Sequence, residues 1–524
     1  MIGKTRSEQP RIVIAALALL FAASCAAPDA VPSAEKTDPD PLPDSGSDAG
    51  SDADSDAGPD VEPVPAEGLP KWGKGFGVVG SDQHAFDIAL DSSTNNTVVT
   101  TMGFFGELLI PGVAGGIPFK SGGSRNILVV RHAAESGEAS WAAPINSPSE
   151  IVRSVVDVDT QGNIIVAGGF NGTLTIGALA PAATVGSYDA YIAKFDPNGE
   201  PLWVRTFGDH TAQFVTGIGS DDKGNIVVVG LASGNATTFG PGVVAPKNTD
   251  ADIFIAKFEP DGTAVWAQRV GLAGSSAWQD PTATVAVSRV DGSILVGGMT
   301  GGTVDVPPFQ FTAAGARDGF IVKLDPQGKC DWRQPFGAKG REQRVSRVAF
   351  GPMGEALLTG SFAGEVTFAN ETLKSFENTD DLLVAKLEAD GALAWAHGYG
   401  NVGKQVGTFC AFDEKGQAVV VGSFAGVLEL FGNNALVNPD INVSTDVFAA
   451  KFGADGNPLW GRAFGDKYYQ VAGGAVLWKD KSDSEHEDRV ILAGMNNGTM
   501  ELGVDVLPIA SAGLEDAFLL SLTH

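Results

Sequence analysis

Residues 189–208 read DAYIAKFDPNGEPLWVRTFG, and four later stretches repeat this text with small changes. Each stretch opens with Asp, carries Lys five residues later, reaches a turn that ends in Gly, and continues to a Trp and a final Gly. An apolar strand, a turn with Gly where positive φ is needed and a second strand are typical of a β-hairpin. The other copies are DIFIAKFEPDGTAVWAQRVG at 252–271, DGFIVKLDPQGKCDWRQPFG at 318–337, DLLVAKLEADGALAWAHGYG at 381–400 and DVFAAKFGADGNPLWGRAFG at 446–465.

The tryptophans extend this repeat along the chain. Seven of the nine recur about every 64 residues, at Trp72, Trp141, Trp203, Trp266, Trp332, Trp395 and Trp460. A fixed long period indicates a repeat architecture. A second hairpin lies between the tryptophan hairpins, as in VRSVVDVDTQGNIIVAGGF at 152–170. Its second strand is apolar on both faces and needs cover on both faces, which neighbouring blades provide in a propeller. We therefore predict an all-β, seven-bladed β-propeller with four antiparallel strands per blade, named A to D in chain order.

The two ends of the repeat region complement each other. KWGKGFG at 71–77 has the pattern of a D strand that no C strand precedes, whereas DAFLLSL at 516–522 has the pattern of a C strand that no D strand follows. We predict that residues 71–77 join the C-terminal blade and close the ring. Ring closure removes the exposed sheet edges of an open array.

The N-terminal segment has a basic stretch, an apolar run from Ile12 to Ala23, and then Ser24-Cys25. The run is too short to span a bilayer and fits the central region of a signal peptide. LLFAASC resembles the bacterial lipobox, with Ala22 where that pattern prefers Leu. The resemblance implies cleavage after residue 24, lipidation at Cys25, membrane attachment through that lipid and, since Ala26 is not Asp, the bacterial outer membrane or cell surface. The alternative is a plain secretory signal with an incidental Cys.

The predicted domains are a signal peptide at 1–24, a lipidated, disordered acidic linker at 25–69 and the propeller at 70–524. The linker is rich in Asp, Pro and Ser and almost devoid of large apolar residues, so burial cannot offset its ordering entropy. The net charge of −28 disfavours nucleic acid as a partner, because phosphate binding needs clustered Lys and Arg. Calcium uptake by the SDADSDAG run, or calcium-stabilised blades, is a weaker alternative, since no EF-hand spacing is present.

The repeat resembles a known family, the seven-bladed β-propeller repeat proteins of bacterial surfaces called SBBP repeats, with units like DAFVAKLDPDG and a GNVYVTG-type strand. The resemblance covers 71–524 and implies the fold and a surface or secreted protein, without specifying a function. Two departures stand out. Asn126 replaces the Asp that opens strand C in the first blade, and the strand carrying Trp141, which we assign to the second blade, ends in APINSP rather than FG.

Residues that recur in every blade are expected to be structural. We expect the Asp before strand C and the Lys five residues later to cap strands, and the tryptophans to pack between blades. A recurring Gln precedes strand A at Gln83, Gln213, Gln279, Gln343, Gln405 and Gln470, with Glu150 in blade two. We expect these to ring one mouth of the channel and to tie neighbouring blades by buried hydrogen bonds; a polar ligand ring is the alternative.

Binding is better sought where the repeat is broken. The D-to-A loops and the long B-to-C loops share one face, and their sequences diverge there. Aromatic and Arg residues favour binding patches, so the candidate ligand-binding residues are those in the following set, with loop drift as the alternative. They are His84, His210, Trp278, Arg341, Tyr468 and Tyr469.

The sequence indicates no catalytic apparatus, metal site or cofactor. The six histidines form no HExxH-type spacing, and no nucleophile elbow or P-loop is present. Cys330 and Cys410 fall two blades apart, which excludes a disulfide. The leading hypothesis is a monomeric, non-enzymatic surface lipoprotein that presents a binding or scaffold face to a protein or glycan partner. The alternative is a polysaccharide hydrolase or lyase whose site is assembled at the channel mouth from distant positions.

Overall fold

The repeat folds as seven four-stranded antiparallel units of a β-propeller in the computed structural model. The structure describes residues 67–524 except 234–236, 246–251, 273–282, 316, 338–340, 369–370, 432–433, 439–443, 480–487 and 504. The predictions for Cys25, the linker, Trp278 and Gln279 lie outside the described residues. Two 3₁₀ turns, Ala114–Gly116 and Phe376–Asn378, are the helical elements of the described part.

Strands A to D of each blade follow in chain order. Blade 1 has Asp82–Leu90, Thr97–Phe105, Asn126–Ala133 and Ala139–Asn146, and blade 2 has Glu150–Val158, Ile164–Asn171, Asp189–Phe195 and Pro201–Phe207. Blade 3 has Gln213–Ser220, Ile226–Ala232, Asp252–Phe258 and Ala264–Leu272, and blade 4 has Ala283–Val287, Ile294–Thr300, Asp318–Leu324 and Cys330–Phe336. Blade 5 has Gln343–Phe350, Ala356–Phe362, Asp381–Leu387 and Leu393–Tyr399, and blade 6 has Gln405–Phe412, Ala418–Phe424, Asp446–Phe452 and Pro458–Phe464. Blade 7 has Gln470–Trp478, Arg489–Asn496 and Asp516–Thr523, with Pro70–Phe76 as its strand D.

The predicted ring closure is confirmed. Strand Pro70–Phe76 pairs antiparallel with Asp516–Thr523, with Phe76 opposite Ala517 and Lys74 opposite Leu519. On the other side of blade 7, the Gln83 amide donates to the Glu515 carbonyl (2.8 Å), which connects blade 7 to blade 1. Each A strand also contacts the A strands of both neighbouring blades, so the seven A strands form the innermost ring around the axis.

The core consists of layers between blades, as the doubly apolar B strands predict. One such layer joins Ile491 and Leu519 of blade 7 to Val98 and Met102 of blade 1, all 0% exposed. Because each layer belongs to two blades, no blade can bury its apolar residues by itself.

The B-to-C segments are more regular than the sequence suggested. Each contains a short additional hairpin, and alternate apolar residues of these hairpins, such as Val366 and Phe368, are fully buried. The hairpins of blades 2 and 4 pair with strand D of the preceding blade, which covers an outer sheet edge that would otherwise be exposed. The hairpin strands are Glu107–Leu108 with Phe119–Lys120, Thr173–Ile176 with Ala182–Ala183, Thr237–Gly240 with Val243–Ala245, Thr303–Val306 with Phe309–Thr312, Glu365–Phe368 with Glu371–Lys374, Val427–Phe431 with Asn434–Val437, and Thr499–Met500 with Ile509–Ala510.

The recurring Lys and Trp form one inter-blade contact. In blade 2, Nζ of Lys194 lies 3.2 Å and Nε1 of Trp203 lies 3.3 Å from the same carbonyl oxygen, that of Pro260 in the C-to-D turn of blade 3. Lys194 also pairs with Asp159 at the end of its own strand A (2.9 Å). The Trp203 ring packs over Gly262, where a Cβ would lie 3.2 Å from the ring and where φ is +82°. The repeated Lys, Trp and turn Gly therefore serve blade assembly.

The seventh copy of this contact uses a different segment. Trp460 of blade 6 faces blade 7, which has no C-to-D turn because its C and D strands come from opposite ends of the repeat region. Gly68, with φ of +75°, takes the place of the turn Gly, and a Cβ there would lie 2.8 Å from the Trp460 ring. The residues just before the closing strand therefore complete the contact.

The Asp that opens strand C accepts hydrogen bonds from the preceding B-to-C segment, as expected of a cap. The Val185 amide donates to Asp189 (3.1 Å), and the Phe376 amide donates to Asp381 (2.9 Å). The Gly after strand D leaves room for this carboxylate, because a Cβ on Gly208 would lie 2.2 Å from the carboxyl carbon of Asp189. The Asp at the start of strand C therefore requires Gly at the end of the repeat, because a side chain there would clash with its carboxylate.

The two departures noted in the sequence belong to a single blade, which corrects their assignment to two blades. The strand that carries Trp141 pairs with Asn126–Ala133 in blade 1. Asn146 occupies the place of the Gly, and the Nδ2 of Asn126 donates to its Oδ1 (3.0 Å). An Asn–Asn hydrogen bond therefore replaces the Asp–Gly pair, because the carboxylate and a side chain at the Gly position cannot coexist.

We expect Asp381→Asn to change the pH dependence of stability. Burial raises the pKa of Asp381 to about 6, from 3.8. Because the pKa of Asp381 is higher in the folded than in the unfolded state, its carboxyl group favours folding when it is protonated. The stability that Asp381 contributes is therefore fully present below pH ~4 and is lost as pH rises through ~6. Relative to wild type, the Asn variant should gain up to about 3 kcal/mol between those limits.

The measurement is the unfolding midpoint of both proteins at pH 4 and pH 7. Asp196→Asn is the control, because the backbone hydrogen bonds that Asp196 accepts outweigh a slight burial effect and lower its pKa, so its difference should run in the opposite direction. A variant-minus-wild-type difference for Asp381 that stays constant with pH would contradict the assignment.

Candidate functional site: the polar channel and its upper mouth

The axial channel is lined by strand A, and a β-bulge shapes this lining. In six blades the register of A against B shifts at the same place, leaving one half-buried residue unpaired. These residues are Phe86, Arg153, Thr216, Ser346, Thr408 and Gly473. A bulge redirects a side chain out of the ladder, so a ring of bulged residues faces the channel, and Arg153 is the charged member among those described.

We call the face with the D-to-A and B-to-C segments, where A strands begin, the upper face.

The middle of the channel is crossed by a charged pair. Nη1 of Arg347 in blade 5 lies 3.8 Å from Oδ1 of Asp87 in blade 1. Asp87 is 4% exposed, and its Oδ2 accepts a hydrogen bond from the Val156 amide (3.1 Å). The pair thus links strands on separate sides of the ring.

A second arginine crosses the lower end. Arg289, just after strand A of blade 4, donates to Ser92 of blade 1 and to the carbonyl of Val158 in blade 2 (2.7 Å). It also lies 3.5 Å from Asp157. These contacts bypass blade 3, so the Arg289 side chain extends across the lower opening.

Asp87 and Asp157 are channel carboxylates whose charges act on each other, and a pair of carboxylates is what the hydrolase or lyase alternative needs. Burial raises the pKa of both, while Arg347 and Arg289 respectively oppose the rise. Each carboxylate is engaged, Asp87 with the Val156 amide and Asp157 with Ser220 (2.5 Å). Their contacts assign them to holding the inner strands together.

The upper mouth carries two further arginines. Arg153 lies on the bulge of blade 2, and Arg344 is the second residue of strand A in blade 5. Burial lowers the pKa of each to about 10, and the charge of Arg153 contributes to the shift of Arg344 while Asp380 opposes it. Because blades 2 and 5 lie across the ring, the two charges face each other over the channel.

The described residues of the predicted ligand-binding set lie in different blades and do not form a single site. His84 is 4% exposed and pairs with Glu515 of blade 7 (2.5 Å), which places it in the blade 7 to blade 1 junction. His210 and Arg341 are exposed in separate D-to-A loops, and Tyr468 is 45% exposed beside the half-buried Tyr469. Apart from the neighbouring tyrosines, no contact among the described residues joins two members of this set.

The recurring glutamines of the described residues are 0% exposed, which argues against the alternative of a polar ligand ring; they are Gln83, Gln213, Gln343, Gln405 and Gln470. The Nε2 of Gln213 donates to Asp209 (2.9 Å) and to the Ser233 carbonyl (3.1 Å). Gln470 makes the equivalent contacts to Asp466 and Asn496. Each of these two glutamines ties the loop arriving from the preceding blade to the end of its own strand B by buried hydrogen bonds, in agreement with the expected inter-blade role.

Sequence reasoning missed the channel charges Asp87, Arg153 and Asp157. A usable signal was present, since Arg153 and Asp157 stand at strand A positions where the other bulged blades carry Thr, Ser, Gly or apolar residues, and the position of Asp87 is charged in one other blade, where Arg347 occupies it. Reading it required the bulge, because the bulge decides which residues of strand A face the channel.

Cys330 and Cys410 are both buried free thiols. Burial raises the pKa of Cys330 to about 11 and that of Cys410 to about 12, so both are unreactive packing residues. Cys330 is the first residue of strand D in blade 4.

No group of three or more His, Cys, Asp or Glu within the described ranges is placed to hold a metal ion. The described part also contains no helix with the length and apolarity needed to span a bilayer.

Known proteins provide a distant comparison. No protein-family model matches the chain. An uncharacterized WD repeat-containing protein of Acanthamoeba polyphaga mimivirus is 24% identical over 319 residues, which cover 49% of this chain and 23% of that protein's length. Among solved structures, the C-terminal WD40 domain of Sif2 is 8% identical with a TM-score of 0.38, covering 86% of this chain and 99% of that chain. The parainfluenza virus 5 hemagglutinin-neuraminidase ectodomain is 7% identical with a TM-score of 0.39, covering 88% and 82%. The chain is a β-propeller repeat protein, similar over half its length to this viral WD repeat protein.

Proposed function

We propose that this protein is a non-enzymatic binding or scaffold module whose upper face contacts a protein or glycan partner. We further propose an exported lipoprotein, attached through Cys25 to the bacterial outer membrane or cell surface, with the acidic linker separating propeller from membrane. The roles of the repeated residues support this function. The repeated Asp, Lys, Gln and Trp take part in blade assembly, which leaves them no separate catalytic role. The residues available for recognition are those of the loops.

The observation that carries the proposal is the unequal distribution of exposed apolar side chains. Of the 17 exposed large apolar residues in the described part of the chain, 11 lie on or beside the B-to-C and D-to-A segments, whereas two lie in A-to-B turns. Apolar and aromatic side chains left exposed on these segments favour an interaction surface, because exposed apolar patches mark such surfaces. The 11 residues are Val79, Phe105, Ile117, Val185, Val244, Phe376, Val402, Val437, Tyr468, Leu507 and Leu514.

The test compares variants on the two faces. We expect Arg341→Ala and Tyr468→Ala to weaken capture of an envelope protein, or binding on a glycan array, by about tenfold or more, as for central interface residues. Val290→Ala and Met353→Ala are the controls, since both residues lie in lower-face turns and are 88% and 80% exposed. Partners lost with the control variants and retained with the upper-face variants would overturn the choice of face.

A Cys25→Ser variant tests the anchor in the same experiment. A lipid-anchored protein should leave the membrane fraction when Cys25 is replaced, while its upper-face binding persists. Membrane fractionation that Cys25→Ser leaves unchanged would contradict lipidation at this residue.

A further inference from the structure

A cavity of about 340 Å³ lies on the lower face, where the A-to-B and C-to-D turns of blades 3 and 4 meet. This volume is at the small end of the range for ligand pockets, which is about 300–1,000 Å³. The lining combines apolar side chains with exposed carboxylates and an exposed ammonium group. It therefore offers both packing and hydrogen bonding to a small ligand.

The buried part of the lining is held in place by the contact that joins blade 3 to blade 4. Nζ of Lys257 lies 3.2 Å from the carboxylate of Asp221, and the two residues are 6% and 3% exposed. Nε1 of Trp266 donates to the carbonyl of Pro326 (3.2 Å). Because these side chains are already fixed, a ligand would not have to order them on binding.

The neighbouring turns leave the cavity open. Between blades 2 and 3, the Thr160 hydroxyl donates to the carbonyl of Asp222 (3.2 Å) and thereby connects the A-to-B turns of those blades. Between blades 3 and 4, no hydrogen bond among the described residues connects the corresponding turns. Asp222 and Asp291, one from each turn, both line the cavity and are exposed.

Glu259 departs from the repeat at this cavity. In blade 2 the corresponding Asp196 caps the C-to-D turn, where its carboxylate accepts a hydrogen bond from the Asn198 amide (2.8 Å). In blade 3 the cap is Asp261, whose carboxylate accepts one from the Thr263 amide (2.8 Å). The Glu259 carboxylate is therefore not needed by the turn. It is exposed in the lining, and no described group forms a hydrogen bond or ion pair with it.

The chemistry of the lining favours a neutral ligand with many hydroxyl groups. The carboxylates of Asp222 and Glu259 accept hydrogen bonds, whereas the ammonium group of Lys223 donates them. A cationic ligand would be repelled by Lys223 and an anionic ligand by the carboxylates. A sugar hydroxyl both donates and accepts, so it matches either kind of group. The apolar face of a sugar ring also suits the half-buried Trp266 and the 47% exposed Val265.

We propose that this cavity on the lower face binds a neutral saccharide. The hydroxyl groups of the sugar are held by Asp222, Lys223 and Glu259, and the C–H groups of its ring pack against Val265 and Trp266. The inference goes beyond the proposed function, because the site lies on the face opposite the loops and requires none of their residues.

The experiment is isothermal titration calorimetry of the full chain with the methyl glycosides of glucose, galactose, mannose and N-acetylglucosamine. We expect at least one of them to bind in a saturable manner. Asp222→Ala and Glu259→Ala should each weaken that affinity by about tenfold or more, because each removes a charged hydrogen-bond acceptor. Both residues are exposed, so the unfolding midpoints of the variants should match that of the wild type.

Glu388→Ala is the matched control. Glu388 is exposed and opens the C-to-D turn of blade 5 as Glu259 does in blade 3, with the same amide-to-carbonyl hydrogen bond across the turn (2.8 Å). This variant should bind the glycoside as wild type does. A titration with 1,5-diaminopentane tests the alternative of a cationic ligand.

The proposal is overturned if no glycoside binds in a saturable manner or if the diamine binds and the glycosides do not. It is also overturned if Asp222→Ala and Glu259→Ala bind as wild type does, or if Glu388→Ala loses affinity to the same extent. A glycoside lost with Arg341→Ala and Tyr468→Ala but retained with Glu259→Ala would belong to the upper face. Failure of the upper-face tests alone would leave the lower-face site unaffected.

Discussion

Deletion of residues 70–76 is expected to abolish the cooperative unfolding transition of the propeller. All eight residues of strand Asp516–Thr523 are buried, and the deletion would expose the side on which they pair with Pro70–Phe76. Phe76 is 4% exposed in the layer that also contains Ala517 and Leu519. Loss of this strand therefore removes its backbone hydrogen bonds to Asp516–Thr523 and also exposes the apolar core layer that Phe76 covers.

A milder change to the same strand is Phe76→Ala. Because it truncates a buried Phe, it should lower the free energy of unfolding by about 3–5 kcal/mol. Thermal unfolding by circular dichroism measures both variants, and light scattering should show self-association of the deletion protein through its open edge. Val79→Ala, three residues beyond the closing strand and 81% exposed, is the control. A deletion protein that melts at the wild-type temperature as a monomer would refute the role of the closing strand.

Transfer of the Asn–Asn pair from blade 1 to blade 2 is expected to show strong coupling. Gly208→Asn alone should destabilise by about 2–3 kcal/mol or more, because a Cβ would lie 2.2 Å from the Asp189 carboxyl carbon and overpacking forces rearrangement. Asp189→Asn alone should be milder, since the Val185 amide still finds an acceptor. The double variant should recover about 1–2 kcal/mol of the summed loss.

Equilibrium unfolding of the four proteins gives the coupling free energy directly. Gly80→Asn is the control for the same substitution without a clash. No atom lies within 4 Å of a Cβ at that position, and Asn tolerates its φ of +79°. Strictly additive losses in the double variant would show that the two positions do not act as a unit.

The fold was predictable because every blade repeats the same physical requirements. An apolar B strand needs two covered faces, and the turn Gly needs positive φ beneath the Trp of the preceding blade. These requirements leave a period in the sequence that survives substitution elsewhere. The ends of the repeat region were predictable for the same reason, with the closing strand observed at Pro70–Phe76 against the expected 71–77.

The candidate sites were less predictable. His84 appeared as a loop ligand, but it lies in a strand and pairs with Glu515, 431 positions away along the chain. For the glutamines, the sequence left a polar ligand ring open as the alternative to buried hydrogen bonds, and the burial of the described glutamines decides between the two. A period shows which positions are equivalent, whereas the direction of a side chain depends on a bulge that leaves no pattern of its own.

From the order of its residues alone, this protein is a closed ring of seven blades, since local strand pairing and burial repeat with every unit. The tertiary structure alone decided that Arg153 and Arg344 face each other, that Arg347 meets Asp87 and that Asn146 accompanies Asn126. The physical reason is that such contacts depend on which strands the ring brings together, and their distances in space bear no relation to their separation along the chain.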